Sequence, residues 1–304
     1  MSDLDLLLTS NLLNEVFEPR DSITTEYLNW QYQENPAGSA CVGYINEPGK
    51  QISNYALIPK PLQNHFAEKI TLGLGVDLAV SPDSRGKGVF RETIEKSYKA
   101  GIDGNLDGIL GVANSQSSPR MTDAMGWVKL PSMDLRLLKF SKPFETTTTF
   151  QIGSNEFAQN AEKGIFNFEN LKPSNGFMPV WDLELLIWRL SKPGSQYFLH
   201  LSDSALTIST KATFRGLRTA VLLKAFPIKP KKTTLPMAPF ASAIAKHHQT
   251  PFVTYWGANE YFEVEGFRVP RKLQPSPLDL VLHFFGKKRD FKLSGFELFD
   301  FDAF

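Results

Sequence analysis

The sequence predicts a mixed α/β (α+β) chain that carries one fold twice, as domains over residues 1–145 and 146–304. Apolar strand-like runs alternate with amphipathic helical runs along the whole length. Two phrases also recur in the same order. Leu28-Asn29-Trp30-Gln31-Tyr32-Gln33-Glu34-Asn35-Pro36-Ala37-Gly38-Ser39 is echoed by Leu186-Ile187-Trp188-Arg189-Leu190-Ser191-Lys192-Pro193-Gly194-Ser195. Each reads as the end of an amphipathic helix, broken by Pro and Gly before a strand. Further on, Gly111-Val112-Ala113-Asn114 leads to Met125-Gly126-Trp127 and Met133-Asp134-Leu135, and its echo runs from Trp256-Gly257-Ala258-Asn259 to Glu265-Gly266-Phe267 and Leu278-Asp279-Leu280. The spacing of counterparts drifts while their order holds, as loops that diverge independently would produce.

In the first half the pattern predicts helices near 9–17 and 24–33, then strands near 40–46, 51–58 and 70–80. A helix over 88–101 follows, then a strand over 107–113, a helix over 117–124 and a strand over 133–140. Residues 141–180 read as a linker rich in Thr, Asn and Lys, with Pro143 and Pro173, although the β-branched run Thr146 to Thr149 suits a strand. The second half offers a helix over 181–190, strands over 197–203, 205–210 and 218–226, and a helix over 238–248. It closes with a strand over 251–256, a short helix around 259–264, and strands over 278–285 and 295–302.

The composition fits two globular domains: 304 residues, 42% hydrophobic and 21% charged. With 33 basic against 32 acidic residues, the chain lacks the broad positive footprint of a nucleic-acid binder, so any anion site is local. The single cysteine, Cys41, excludes an internal disulfide framework or a multi-cysteine metal site, and reads as a buried strand residue. The N-terminal Met1 to Leu8 carries acids where a secretory signal carries bases, and no apolar run approaches the roughly 18 residues of a membrane span. A cytoplasmic protein without membrane or nucleic-acid partners is expected.

The most specific signal is local. The strand Val76-Asp77-Leu78-Ala79-Val80 turns through Ser81-Pro82-Asp83-Ser84 into Arg85-Gly86-Lys87-Gly88-Val89-Phe90, which opens a helix. A helix N-terminus leaves backbone N–H groups unpaired and adds positive potential, two glycines let the backbone close round an anion, and Arg85 and Lys87 add charge. A nucleotide P-loop is disfavoured, because Gly88 rather than Ser or Thr follows Lys87 and Ser81 stands where the first Gly belongs, five positions before Gly86. Gly73-Leu74-Gly75 precedes a strand rather than following one, so the dinucleotide fingerprint fails too.

This arrangement resembles the GNAT superfamily of acyl-CoA-dependent N-acyltransferases. Their signature runs Arg or Gln, two residues, Gly, one residue, then Gly or Ala. Arg85 to Val89 match it through the first glycine, and Phe90 takes the final small position, where it packs the helix on the sheet or crowds the phosphate. Val76 to Val80 with Pro82, then Asn114, then Met125-Gly126-Trp127 in place of a closing Leu-Gly-Phe, extend the likeness over residues 70–140. Trp30 to Ser39 resembles a subgroup with Trp-x-Tyr-x-x-Asn-Pro. The resemblance implies two domains, each a central mixed, mostly antiparallel sheet flanked by helices. The second is degenerate, since Leu235 to Lys246 holds no Arg-Gly-Lys-Gly.

The resemblance also implies roles. Acetyl-CoA or another acyl-CoA would pair its pantetheine arm with the backbone of Leu78 and Val80. Amides of Arg85, Gly86, Lys87, Gly88, Val89 and Phe90 would take the pyrophosphate, and Asn114 and Ser117 would flank the cofactor. Asn114 equally suits a helix cap. Arg91, Lys96 and Lys99 meet the 3′-phosphate or form a solvated helix face. Transfer to an amine calls for a base, an oxyanion donor and an acid for the thiolate. Thr122 stands where many members place an acidic Tyr. Asp77 is the candidate base if it faces inward, with strand alternation grouping it with Ala79 and Ser81 against Val76, Leu78 and Val80. His65 borders an acceptor site or is exposed, Trp30, Tyr32 and Trp127 line a cleft or sit in the core, and His247-His248 lack partners for zinc.

The expected function is acyl transfer to a primary amine of a small molecule, with an amino sugar or nucleotide-linked amino sugar preferred. The first copy would bind the cofactor and the second would complete the acceptor cleft. The alternative is a non-catalytic acyl-CoA-binding or scaffold protein, motivated by Thr122, Phe90 and the degenerate second half. Aminoacyl transfer from tRNA is disfavoured by the neutral charge.

Overall fold

A computed structural model describes residues 4–19, 21–114, 117–166, 168, 171–214, 216–228, 233–274, 278–286 and 290–301. Met1 to Asp3 of the N-terminal segment and the end of the 295–302 run lie outside them. The chain forms two units. The first comprises residues 1–62, 69–130 and 279–290, and the second 63–68, 131–278 and 291–304.

In the first unit, Asp5 caps helix α1 (Leu6–Phe17) by accepting from the amides of Leu7 and Leu8 at 2.9 and 3.1 Å. Thr24 caps α2 (Thr25–Tyr32), whose Leu28, Trp30, Gln31 and Tyr32 are buried. The sheet runs β1 (Cys41–Glu47), β2 (Lys50–Asn64), β3 (Lys69–Val80) and β4 (Gly108–Ala113), followed by the late strand Asp279–Phe284 and the short Val128–Lys129. In this sheet β3 and β4 pair in parallel, from Leu72 opposite Gly108 to Gly75 opposite Gly111, which demands a crossover. Helix α3 (Val89–Asp103) supplies it and packs on β1, so closely that a Cβ on Gly43 would lie 2.3 Å from the Ser97 amide nitrogen.

The second unit repeats the plan. Its strands run in the order Gly266–Arg268, Leu135–Leu138, Val253–Asn259, Leu217–Pro227, Ala205–Phe214, Phe198–Leu201, Thr148–Phe150. A parallel pair in this sheet, Ala220 to Leu222 against Val253 to Tyr255, is joined by the helix Ala238–His248, which buries Phe240, Ala241 and Ile244 on the sheet. Two mixed sheets flanked by helices are the predicted class.

The closing strands are exchanged. Leu135–Leu138, expected to finish the first half, pairs with Thr254 to Trp256 of the second unit, while Asp279–Phe284 pairs antiparallel with β4 of the first. Both strands begin in a Met/Leu-Asp-Leu phrase, so their local pattern fits either sheet. The helix expected at 259–264 is instead a turn, in which the Asn259 side chain accepts from the Tyr261 amide at 3.1 Å, and a short strand Phe262–Glu263. The segment read as a linker contains a helix, Asn155–Glu162, capped by Ser154 and anchored by Phe157 stacked on Phe166. Among the described residues no helix is long and apolar enough to cross a membrane.

Candidate acyl-donor site

After Val80 the chain makes one tight turn, with the Ser84 amide bonding to the Ser81 carbonyl, and then enters Arg85 to Gly88, all exposed. Gly86 and Gly88 have φ of 78° and 83°, a region that disfavours any side chain, and a Cβ on either would meet nothing within 4 Å. The concave side of the loop is therefore open. Gly88 is the cap of α3 and offers no side chain, and the first backbone bond into the helix runs from Glu92 to the Gly88 carbonyl. Among the described residues the amides of 86–91 have no protein acceptor. A run of N–H donors, the positive end of a helix dipole and two cationic side chains make an anion cradle. The Arg85 Nε also donates to the Val80 carbonyl, at 3.3 Å.

Phe90 does not crowd this loop, because its ring joins a core cluster with Ile94, Met121 and Trp127 and carries the Arg120 guanidinium 5.9 Å above it. Lys96 pairs with Glu92 and Lys99 with Asp103 along the exposed face of α3, the arrangement of a solvated helix surface.

Beyond the Gly75–Gly111 pair, β3 and β4 part. Two residues on stands Asp77, whose φ of 55° is left-handed and rare for a non-glycine residue. This turn also cancels the expected alternation: Ala79, Val80 and Ser81 are buried in succession, while Leu78 is half-buried and packs on the α3 cluster. The Asp77 Oδ2 accepts from the Tyr32 hydroxyl at 2.8 Å, and its carbonyl accepts from Asn54 Nδ2 at 3.1 Å. Burial, then the Asp77 charge, pushes the Tyr32 hydroxyl well above its ordinary pKa. At the root of the opening a Cβ on Gly75 would meet the Tyr55 hydroxyl, and one on Gly111 would meet Val281 and Trp127.

Asn114 and Ser117 follow β4 and cap each other: the Ser117 amide donates to Asn114 Oδ1 at 2.9 Å, and the Asn114 amide to Ser117 Oγ at 3.1 Å. Asn114 thus caps the turn that follows β4. The Thr122 hydroxyl lies within hydrogen-bond distance of the Ser118 carbonyl and Asp123 carboxylate. Trp30, Tyr32 and Trp127 are core residues. Cys41 is only half-buried on β1, and burial raises its thiol pKa. His65 lies against the exposed Phe66 with the two rings tilted at 41°, and belongs to the second unit.

Sequence reasoning missed Asn54, Tyr98 and His283. Tyr98, on α3, accepts from Trp127 Nε1 and stacks on His283 with ring centroids 4.6 Å apart. Burial raises the Tyr98 hydroxyl pKa and lowers that of His283. His283 stands on the exchanged strand, so no local pattern marked it as part of this unit.

In the second unit the corresponding place is closed. The strands part beyond Leu222 and Tyr255, and Lys224 stands two residues past the last pair, as Asp77 does. The antiparallel pairing register skips Leu223 at this place. Here, however, Gly295–Glu297 pairs with Gly257–Asn259, and the Glu297 and Asp300 carboxylates reach Lys224 at 3.0 and 2.8 Å, so this segment bridges the diverging strands. Burial opposes the Lys224 charge, but Asp300 and Glu297 hold its pKa above normal. Burial and Asp300 raise that of Glu297. The helix that follows starts buried, with Pro239 lacking an N–H and the Met237 amide bonded to the Glu263 carbonyl, and no glycine loop opens at its head.

His248 is joined by His200, which the sequence did not single out: Ser209 Oγ lies 2.7 Å from Nε2 of both, and Thr149 Oγ1 lies 2.9 Å from His200 Nδ1. Burial first, and neighbouring charges second, lower His200 to about 3 and His248 to about 4. No group of three or more metal-ligating side chains occurs among the described residues.

No protein-family model matches the sequence, and no curated protein resembles it. Solved structures do match over nearly the whole chain. A GCN5-related N-acetyltransferase from Anabaena variabilis is 12% identical, with a TM-score of 0.60 over 94% of this chain and 71% of its own. A conserved Enterococcus faecalis V583 protein of unknown function, designated a probable N-acyltransferase, is 10% identical, with a TM-score of 0.62 over 94% and 71%. Saccharomyces cerevisiae N-myristoyltransferase with bound myristoyl-CoA is 13% identical, with a TM-score of 0.54 over 93% and 80%. The chain has the GNAT fold. Its two sheets fit a tandem form of that fold.

Proposed function

We propose that the protein is an acyl-CoA-dependent N-acyltransferase that uses one acyl-CoA, acetyl-CoA by default, per chain. The observation that carries this reading is the run of amides 86–91, without protein acceptors, at the head of α3 beside the point where β3 leaves β4. A loop of that kind suits a pyrophosphate, and an unpaired strand edge suits an extended amide chain such as pantetheine. In this reading amides from Arg85 to Phe90, with the Arg85 and Lys87 charges, bind the diphosphate, the Leu78 and Val80 backbone aligns the arm, and Asn114 and Ser117 border it. The donor supplies an activated acyl thioester, whose thiolate is a good enough leaving group to depart without the Tyr that Thr122 replaces.

The acceptor in this reading is a primary amine of a small molecule, with amino sugars and nucleotide-linked amino sugars the first to try. Thr122 in place of Tyr favours one competing reading, an acyl-CoA-binding protein without catalysis. Incubation with acetyl-CoA and a panel of amines, following thiol release, separates them. Amine-dependent release supports the enzyme, whereas binding without turnover across amino sugars, amino acids and peptides would favour the competitor.

A further inference from the structure

Four buried polar side chains converge on Asp77 from three elements. Thr9 on α1 lies 2.9 Å from Gln51 Oε1 on β2, and Gln51 Nε2 donates to Asn54 Oδ1 at 3.1 Å. Asn54 Nδ2 then donates both to the Tyr32 hydroxyl at the end of α2 and to the Asp77 carbonyl, each at 3.1 Å. Tyr32 completes the chain by donating to Asp77 Oδ2 at 2.8 Å. Thr9, Gln51, Asn54 and Tyr32 are all buried. Both amide hydrogens of Gln51 and both of Asn54 are used, the second of Gln51 on the Ser53 carbonyl. A buried network satisfied to this degree has one arrangement, because any other leaves a polar group unpaired.

We infer that this network is a clamp that fixes the left-handed backbone at Asp77, and that Asp77 and Tyr32 are positioning residues rather than a catalytic base and its partner. The clamp grips Asp77 twice, at its carboxylate and at its carbonyl. The carbonyl bond turns that peptide away from β4 immediately past the Gly75–Gly111 pair, where β3 leaves its neighbour. The carboxylate bond holds the side chain against a hydroxyl that burial keeps protonated. Asp tolerates left-handed backbone better than most residues, and Asn does so equally while presenting the same acceptor oxygen to Tyr32. The inference rests on the donor site proposed above, since its purpose is to present the β3 edge at Leu78 to the acyl thioester.

The test compares Asp77→Asn, Asp77→Val, Tyr32→Phe and Asn54→Ala. Amide hydrogen exchange over residues 76–80, which needs no ligand, is expected to quicken at least tenfold in the last three and to stay within about threefold of wild type in Asp77→Asn. Acetyl-CoA turnover follows the same order, with Asp77→Asn within about fivefold, its pH–rate profile unshifted, and Asp77→Val down by a hundredfold or more. Equal loss in Asp77→Asn and Asp77→Val, or unchanged exchange in Tyr32→Phe and Asn54→Ala, overturns the clamp. A wild-type protein that binds no acyl-CoA overturns the donor reading instead, and the exchange data still decide the clamp.

Discussion

Reversing the charge of the cradle, as Arg85→Glu with Lys87→Glu, tests how the loop holds its anion. Both residues are exposed and flank glycines that the substitutions leave untouched, so far-ultraviolet circular dichroism is expected to be unchanged. A unit charge about 4 Å from a phosphate charge in a water-like dielectric is worth about 1 kcal/mol. Each reversal exchanges that attraction for a similar repulsion, about 2 kcal/mol per residue and about 4 for the pair, or roughly a thousandfold in Kd. Screening over about 8 Å at physiological salt cuts the effect to roughly a hundredfold. Isothermal titration with acetyl-CoA at two salt concentrations gives the numbers. Arg85→Gln, which keeps a donor for the Val80 carbonyl, is expected to lose only about fivefold. An unchanged affinity in the double reversal, or an equal loss in Lys96→Glu with Lys99→Glu, whose lysines already pair along α3, rules out an electrostatic cradle at Arg85 and Lys87.

Two further outcomes follow from the second unit. His200 and His248 sit at about 3 and about 4 in the folded protein, below the ordinary 6.5, so they stay neutral while the unfolded chain takes up protons. Their contribution to stability is whole above pH 6.5 and shrinks as pH falls towards 4. The guanidinium midpoint is expected to drop from pH 7 to pH 5, and His200→Gln to flatten that slope; an unaltered slope counts against the buried histidine chain. Lys224→Met removes the cation between two buried carboxylates and is expected to cost about 3–5 kcal/mol of unfolding free energy. Adding Glu297→Gln and Asp300→Asn recovers part of it, and a loss below about 1 kcal/mol in the single variant contradicts the buried triad.

The loop was legible because its signal is contiguous: two glycines and two cations directly after an apolar strand. The same locality explains the correct placement of most helices and strands. What the sequence hid is non-local. Nothing within Asp279–Phe284 says that it completes the sheet of the other half, since its pattern matches that of Leu135–Leu138. The residues that grip Asp77 stand at 32 and 54, each a plausible core residue alone, and only the fold brings them together. Helix Asn155–Glu162 escaped because it buries one large apolar residue, Phe157, too few for a periodic stripe.

The most direct measurement is amide hydrogen exchange of the whole protein with and without acetyl-CoA. Slowed exchange is expected over residues 76–80 and 86–91, with the corresponding stretches of the second unit, 223–227 and 235–240, unchanged. Protection absent from 86–91, or equally strong in the second unit, would contradict a single acyl-donor site in the first unit.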